Sequence, residues 1–404
     1  MQIRRHSVRS RQQSPAPHRG GCLPFVAVLS MAAVVFFILR DFPAIFTFVN
    51  HTISSDSIHE ATVAFTSGNL DETVRISQHL LAGDDTDVEA LSLLVRALIY
   101  RSYVDYYYSA DRKIALEVTG NMLVQLPDNV ELIALHAYVL QVNGYSEEAI
   151  RKAQRVLLRD SENLPARLAI SLAYASEGLF DAAVQQAERA LTISTQSAPD
   201  WRIDALRTLA ITYSDAGRYG DAVRMIRQGI SINRRLIPLH FERALYALQT
   251  GDTGAATSAY FSVIAVDETN VKARLRLCEL SSKLRETDTA LQYCQDVTGR
   301  APDWAEGWYF LGREYYLQGN FPQAQRALNQ CSSLQVMQNI PIEERRFECW
   351  YLQGQAAEIQ GDCQGLLTTY REFQRMASLA PLQETWIYPP EGPAICITPA
   401  VPTG

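Results

Sequence analysis

Two hydrophobic patterns divide the chain. The first is one uncharged run, CLPFVAVLSMAAVVFFIL, at residues 22–39. The second begins near residue 57 and is intermittent. Large apolar residues recur at helical spacing, small residues stand among them, and glycine interrupts the pattern at intervals. The stretch WYFLGREYYLQGNFPQA at 308–324 shows the unit: Trp308, Leu311 and Tyr315 on one predicted helix, Gly319 at its end, Ala324 on the next. Glycine closes the first helix because it takes positive φ cheaply.

The unit recurs. Alanines stand at Ala149, Ala183, Ala222, Ala256, Ala290 and Ala324, with every step 34 residues except the 39 between Ala183 and Ala222. Five positions before them come Gly144, Gly178, Gly217, Gly251, Arg285 and Gly319. Twelve positions before them come Ala137, Ser171, Ala210, Ala244, Cys278 and Gly312, all small. Small side chains let two antiparallel helices approach closely, and large ones such as Trp308, Leu311, Tyr315 and Leu328 wedge between neighbouring pairs. One such hairpin cannot bury its apolar faces alone, so several must stack.

This pattern resembles the tetratricopeptide repeat family: Trp308, Leu311-Gly312, Tyr315 and Ala324 match its motif, with Pro302 closing the preceding repeat. The resemblance covers residues 57–380 and is strongest over 130–338. Upstream, Ala115 and Pro127 continue it, and HEATVAFTSGNLDETVRISQHLL reads as a degenerate hairpin turning at Gly68. Downstream, Trp350 and Gly354 keep the spacing while Leu366 replaces the alanine. The implied fold is all-α: a superhelix, or α-solenoid, of about nine antiparallel helix hairpins. Short insertions are expected near 196–202 and 338–345.

The uncharged run, as a helix rising ~1.5 Å per residue, covers roughly 27 Å, close to the hydrocarbon core of a bilayer. It shows no polar face and offers no small-residue cleavage site, and Cys22 stands at its start rather than its end. An uncleaved transmembrane signal anchor at 22–40 is expected. Arg4, Arg5, Arg9, Arg11 and Arg19 precede it and only Arg40 follows. This bias leaves a basic cytoplasmic tail at 1–21 and sends the rest to the extracytoplasmic side of the cell membrane. Residues 41–56 form a juxtamembrane linker containing the sequon Asn50-His51-Thr52. Residues 381–404 form a proline-rich tail that either folds back into the repeat groove or extends freely.

Charge narrows the partners. The net charge is −7, and the acid-free arginine tail leaves the remainder more acidic still, which disfavours nucleic acid. No HExxH, GxSxG, CxxC or GxxxxGK[ST] motif occurs. Glu147-Glu148 and Glu343-Glu344 read as solvated faces and Asp84-Asp85 as a polar turn. No catalytic, cofactor or metal site is expected, and no small-molecule substrate. Cysteine carries the remaining signal: six of the seven lie between 278 and 396. Outside the cytoplasm Cys278, Cys294, Cys331, Cys349 and Cys363 are disulfide candidates; the alternative is that cysteine serves as a small buried residue. With Cys396 the six allow fifteen pairings, so connectivity stays open.

In the family, first helices line a concave groove. By register the groove positions here include Tyr100, Tyr107, Tyr138, Phe241, Tyr309, Tyr316 and Tyr351. The places that hold a carboxylate clamp in some members carry Ala134, Leu168, Arg207, Phe241, Leu275 and Tyr309, so only Arg207 remains of that clamp. An aromatic groove suits an apolar peptide segment. The expectation is a single-pass, membrane-anchored scaffold or adaptor that binds partner proteins, with a permanent structural subunit of a larger membrane complex as the alternative.

Overall fold

A computed structural model describes residues 57–379, 386–389 and 391–397. Within them stand eighteen α-helices and four short 3₁₀ turns, and no strand. The helices pair in order. They are α1 (Ile58–Thr66) with α2 (Leu70–Gly83), α3 (Val88–Arg101) with α4 (Asp111–Gln125), and α5 (Val130–Val142) with α6 (Ser146–Arg159). Then come α7 (Leu164–Ser176) with α8 (Phe180–Gln196), α9 (Arg202–Asp215) with α10 (Tyr219–Ile232), and α11 (Ile237–Gln249) with α12 (Thr253–Val266). The last are α13 (Val271–Lys283) with α14 (Thr287–Arg300), α15 (Ala305–Leu317) with α16 (Phe321–Met337), and α17 (Glu348–Ile359) with α18 (Cys363–Ala377). These are the nine hairpins. The run at 22–40 expected to span a membrane lies outside the described residues. No helix among those described is long and apolar enough to cross one.

The columns act as expected. All six alanines of the second-helix column are fully buried. Ser171 of the small column donates its hydroxyl to the Ala183 carbonyl at 2.8 Å, directly across one hairpin. A Cβ added to Gly312 would come within 2.6 Å of Leu328 Cγ, so α15 and α16 approach as closely as their backbones allow. Five glycines of the turn column adopt φ between 75° and 85°. Arg285, the exception in sequence, is not one in conformation: it takes φ 64°. Glu286 N–H still reaches the Ser281 carbonyl at 2.9 Å, as Tyr145 N–H reaches that of Leu140. The turn is dictated by the hairpin rather than by the residue that occupies it.

Caps set the helix starts. Asn129, Asn163 and Asn270 each accept from a backbone N–H three residues on, opening α5, α7 and α13. Two breaks in period appear where expected. A 17-residue α8 followed by the turn Pro199–Trp201 accounts for the first; a 17-residue α16 followed by the turn Ile342–Glu344 accounts for the second. A third departure, the α3–α4 connection at 102–110 with its turn Tyr106–Tyr108, was not foreseen.

Candidate functional site

Seven of the eight residues assigned to an open groove stand on first helices, Tyr107 standing instead in the turn Tyr106–Tyr108, and most of that groove is closed. Tyr100 and Tyr138 are 0% and 1% exposed, and Arg207 and Tyr309 are also buried. Phe241, Tyr316 and Tyr351 are half-buried, and Tyr107 alone of the eight is exposed. The positions that register assigns to an open groove are largely taken up by contacts within the chain itself.

Two charged pairs occupy its centre. Arg207 on α9 donates through Nε to Glu242 Oε1 on α11 at 2.7 Å, and its guanidinium lies over the rings of Tyr100 and Tyr103. Arg96 on α3 meets Asp204 on α9 and the Asp200 carbonyl, and stands between the rings of Phe65 and Trp201. Burial raises the Glu242 carboxyl above its ordinary value, and the Arg207 guanidinium opposes that rise.

The α3–α4 connection seals the coil. Its Tyr103 carbonyl accepts from Lys272 Nζ at 2.7 Å, its Val104 carbonyl from Asn270 Nδ2 at 3.0 Å, and its Asp105 carboxylate from the Val271 N–H at 2.9 Å. A carboxylate suits the positive end of α13. Tyr106 donates to Asp303 at 2.8 Å and stacks on Trp304, with ring centroids 4.6 Å apart. Burial brings the Lys272 ammonium down to about 8, with Arg276 adding to the effect. Further back, Asn233 donates to the Thr66 carbonyl at 2.7 Å. The contacts through Asn270 and Asn233 join residues 166 and 167 apart, close to five repeats of 34. The coil therefore meets itself after about five hairpins. Arg96, Asp204 and Glu242, charged residues set among the apolar positions of their helices, are the available signal.

The C-terminal repeats are stapled. Cys278 pairs with Cys294 across α13 and α14, Cys331 with Cys349 between α16 and α17, and Cys363 with Cys396 between α18 and the tail. Their Cα separations are 5.4, 6.0 and 5.3 Å, within the disulfide range. The described part of the tail folds back. Trp386 is 8% exposed and packs edge-on against Tyr351, Tyr370 and Phe373. Its indole occupies the space where a Cβ on Gly354 would project. Tyr388 donates to Glu358 at 2.8 Å. The tail thus covers the last hairpin, as a further repeat would.

The described residues contain no group of three or more His, Cys, Asp and Glu able to hold a metal ion. What the geometry offers is surface. A model of the tetratricopeptide repeat matches residues 162–235, and helix hairpins of the same kind run from 58 to 377. Among curated proteins it is similar to Superkiller complex protein 3 of Homo sapiens, 24% identical over 309 residues, covering 66% of this chain. The chain spans only 19% of the length of that relative. Among solved structures, the APC/C hetero-tetramer Cut9–Hcn1 aligns with a TM-score of 0.53 at 15% identity, covering 80% of this chain and 61% of that one. That likeness shows the fold. IFIT1 in a monomeric mutant with Gppp-AAAA aligns at 0.47 and 14% identity, covering 76% of each chain.

Proposed function

We propose that this protein is a membrane-anchored scaffold that holds partner proteins at the extracytoplasmic face of the membrane. The observation that carries the reading is the pairing of all six cysteines beyond residue 277 into three disulfides, spread over the last three repeats and the tail. Stable disulfides belong to oxidising compartments. The arginine-flanked apolar run at 22–39 supports the same topology. The anchor raises the local concentration of the repeats, so modest affinities suffice. Partners dock on the rims and outer faces, because the interior of the first repeats is spent on self-contact.

The alternative, a permanent subunit of a membrane complex, is supported by two observations. The coil meets itself through contacts between distant hairpins, and the human relative is by name a component of a complex. Topology is tested by treating intact cells with an impermeant maleimide before and after reduction. The reading expects labelling of the six cysteines only after reduction, from outside. Full labelling without reductant, or labelling only after permeabilisation, overturns it. Extraction in mild detergent separates scaffold from subunit: a stoichiometric co-purifying complex favours the subunit.

A further inference from the structure

The one break in period inside the best-conforming stretch of repeats builds a wall. Between Ala183 and Ala222 the chain spends five extra residues, and they appear as the extended end of α8 and the turn Pro199–Trp201. That turn sets Trp201 at the edge of a cleft of about 510 Å³ whose other sides are the N-terminal ends of α3, α5 and α7. Leu135, Leu164 and Ile193 form its floor with Trp201. Trp201 is half-buried, with the Arg96 guanidinium against its ring at 4.1 Å.

The lining is charged on one side only. Glu89, Glu131, Asp160 and Glu162 stand on it, and among the described residues no lysine or arginine lines it. Nearby bases offset this in part. Arg189 pairs with Glu162, while Arg167 is held by the Ser161 carbonyl and Gln186. Glu131 receives a long hydrogen bond from Asn163 at 3.5 Å, and Asp160 accepts from the Glu162 N–H. First-turn acids suit helix N-termini by themselves. The pointer to a ligand is their conjunction with an apolar floor and an inserted tryptophan. The volume accommodates one or two large side chains.

We propose that this cleft docks a basic amphipathic segment of a partner protein, placing an aliphatic or aromatic side chain against Leu135 and Trp201 and flanking arginines or lysines on the acidic rim. Carboxylates pair with the flanking cations, and arginine adds cation–π attraction to an indole face. The surface is opposite in charge to a carboxylate clamp and takes an internal segment rather than a chain end. The proposal rests on the partner-binding reading above.

The test uses the full-length chain in neutral-lipid nanodiscs and a labelled synthetic peptide of two central leucines flanked by arginines, followed by fluorescence anisotropy. A matched peptide has glutamates for arginines. The arginine peptide should bind saturably and the glutamate peptide should not. Affinity should fall roughly tenfold in the Glu89→Lys/Glu131→Lys double variant and on raising salt from about 50 to about 500 mM. Both glutamates are exposed, so the variant should keep the parent circular dichroism. Trp201→Leu, which keeps apolar bulk, should weaken binding with less salt dependence of the loss. Equal affinity of parent and double variant overturns the proposal, as does no binding of the arginine peptide at low salt. If the cleft fails in these ways while native partners still co-purify with the double variant, the scaffold reading stands without it.

Discussion

Replacing Arg207 by alanine tests whether the filled interior holds the coil closed. Arg207 and Glu242 side chains are 6% and 15% exposed, and the guanidinium meets one carboxylate oxygen from two nitrogens at 2.7 and 2.6 Å. The other oxygen, Oε2, finds no donor among the described residues. Removing the cation strands a buried carboxyl, and breaking such a pair costs about 3–5 kcal/mol. Exchanging both partners for apolar residues of similar size, Arg207→Met with Glu242→Leu, removes the desolvation penalty as well and should return stability to within about 1–2 kcal/mol of the parent. The pH dependence has a defined sign. Burial already raises the Glu242 carboxyl, and loss of Arg207 raises it further. A carboxyl raised on folding leaves its stability intact below its unfolded value, about 4.3, and loses it as pH rises through the folded value. The deficit of Arg207→Ala should therefore be smaller at pH 4 than at pH 7.5. Urea denaturation followed by circular dichroism at both values measures it. A single variant within about 1 kcal/mol of the parent, or a double variant no better than the single, would refute the reasoning.

Three further outcomes are expected. Arg285→Gly should stabilise the protein by about 1 kcal/mol, since Arg285 sits at φ 64° where the other turns use glycine; thermal denaturation checks it. His136 is buried against Thr119 at 2.9 Å, and burial brings its imidazole down from 6.5 to about 4, with Lys152 assisting. A histidine depressed on folding costs stability as pH falls from 6.5 toward 4, by up to about 3 kcal/mol, and His136→Gln should flatten that part of the pH–stability curve. Cys363→Ser with Cys396→Ser opens a 33-residue loop and should cost at most about 4 kcal/mol by chain entropy. Limited proteolysis should then cut first around Trp386.

The columns at 34-residue spacing made the hairpins legible before any coordinates, because each column answers to a local demand. Alanine and Ser171 mark close approach within one hairpin, and glycine marks a turn that even Arg285 obeys. The groove was less legible. Register places Tyr100, Tyr138 and Arg207 inward, yet whether inward means open or filled depends on how tightly the coil winds. Winding is the sum of small rotations per hairpin, which no single repeat records. The contacts that reveal it, Asn270 to Val104 and Asn233 to Thr66, join residues some 166 positions apart. The tail was likewise open between two readings until Trp386 was seen in the space left by Gly354.

On the scaffold reading, recognition concentrates where the period fails. Buried residues of a repeat answer to two neighbours at once and cannot vary without loss of packing. Each departure adds chain that is free of that constraint. The α3–α4 connection uses it to seal the interior through Asp105 and Tyr106. The insertion before α9 uses it to set Trp201 on an acidic, apolar cleft. The insertion before α17 brings Arg346 over the Tyr309 ring at 4.5 Å and borders a second cleft with Gln338, Glu344 and Glu348. On the same reading, a coil that closes its own groove recognises partners from its rims, and such insertions are where those rims depart from the repeat. Excising the five extra residues before α9 should therefore remove recognition at that cleft while the helices persist by circular dichroism, at a cost in stability because the excision also takes the Asp200 carbonyl and the Trp201 ring from the buried Arg96. An array of identical repeats of the same length should fold and bind nothing there.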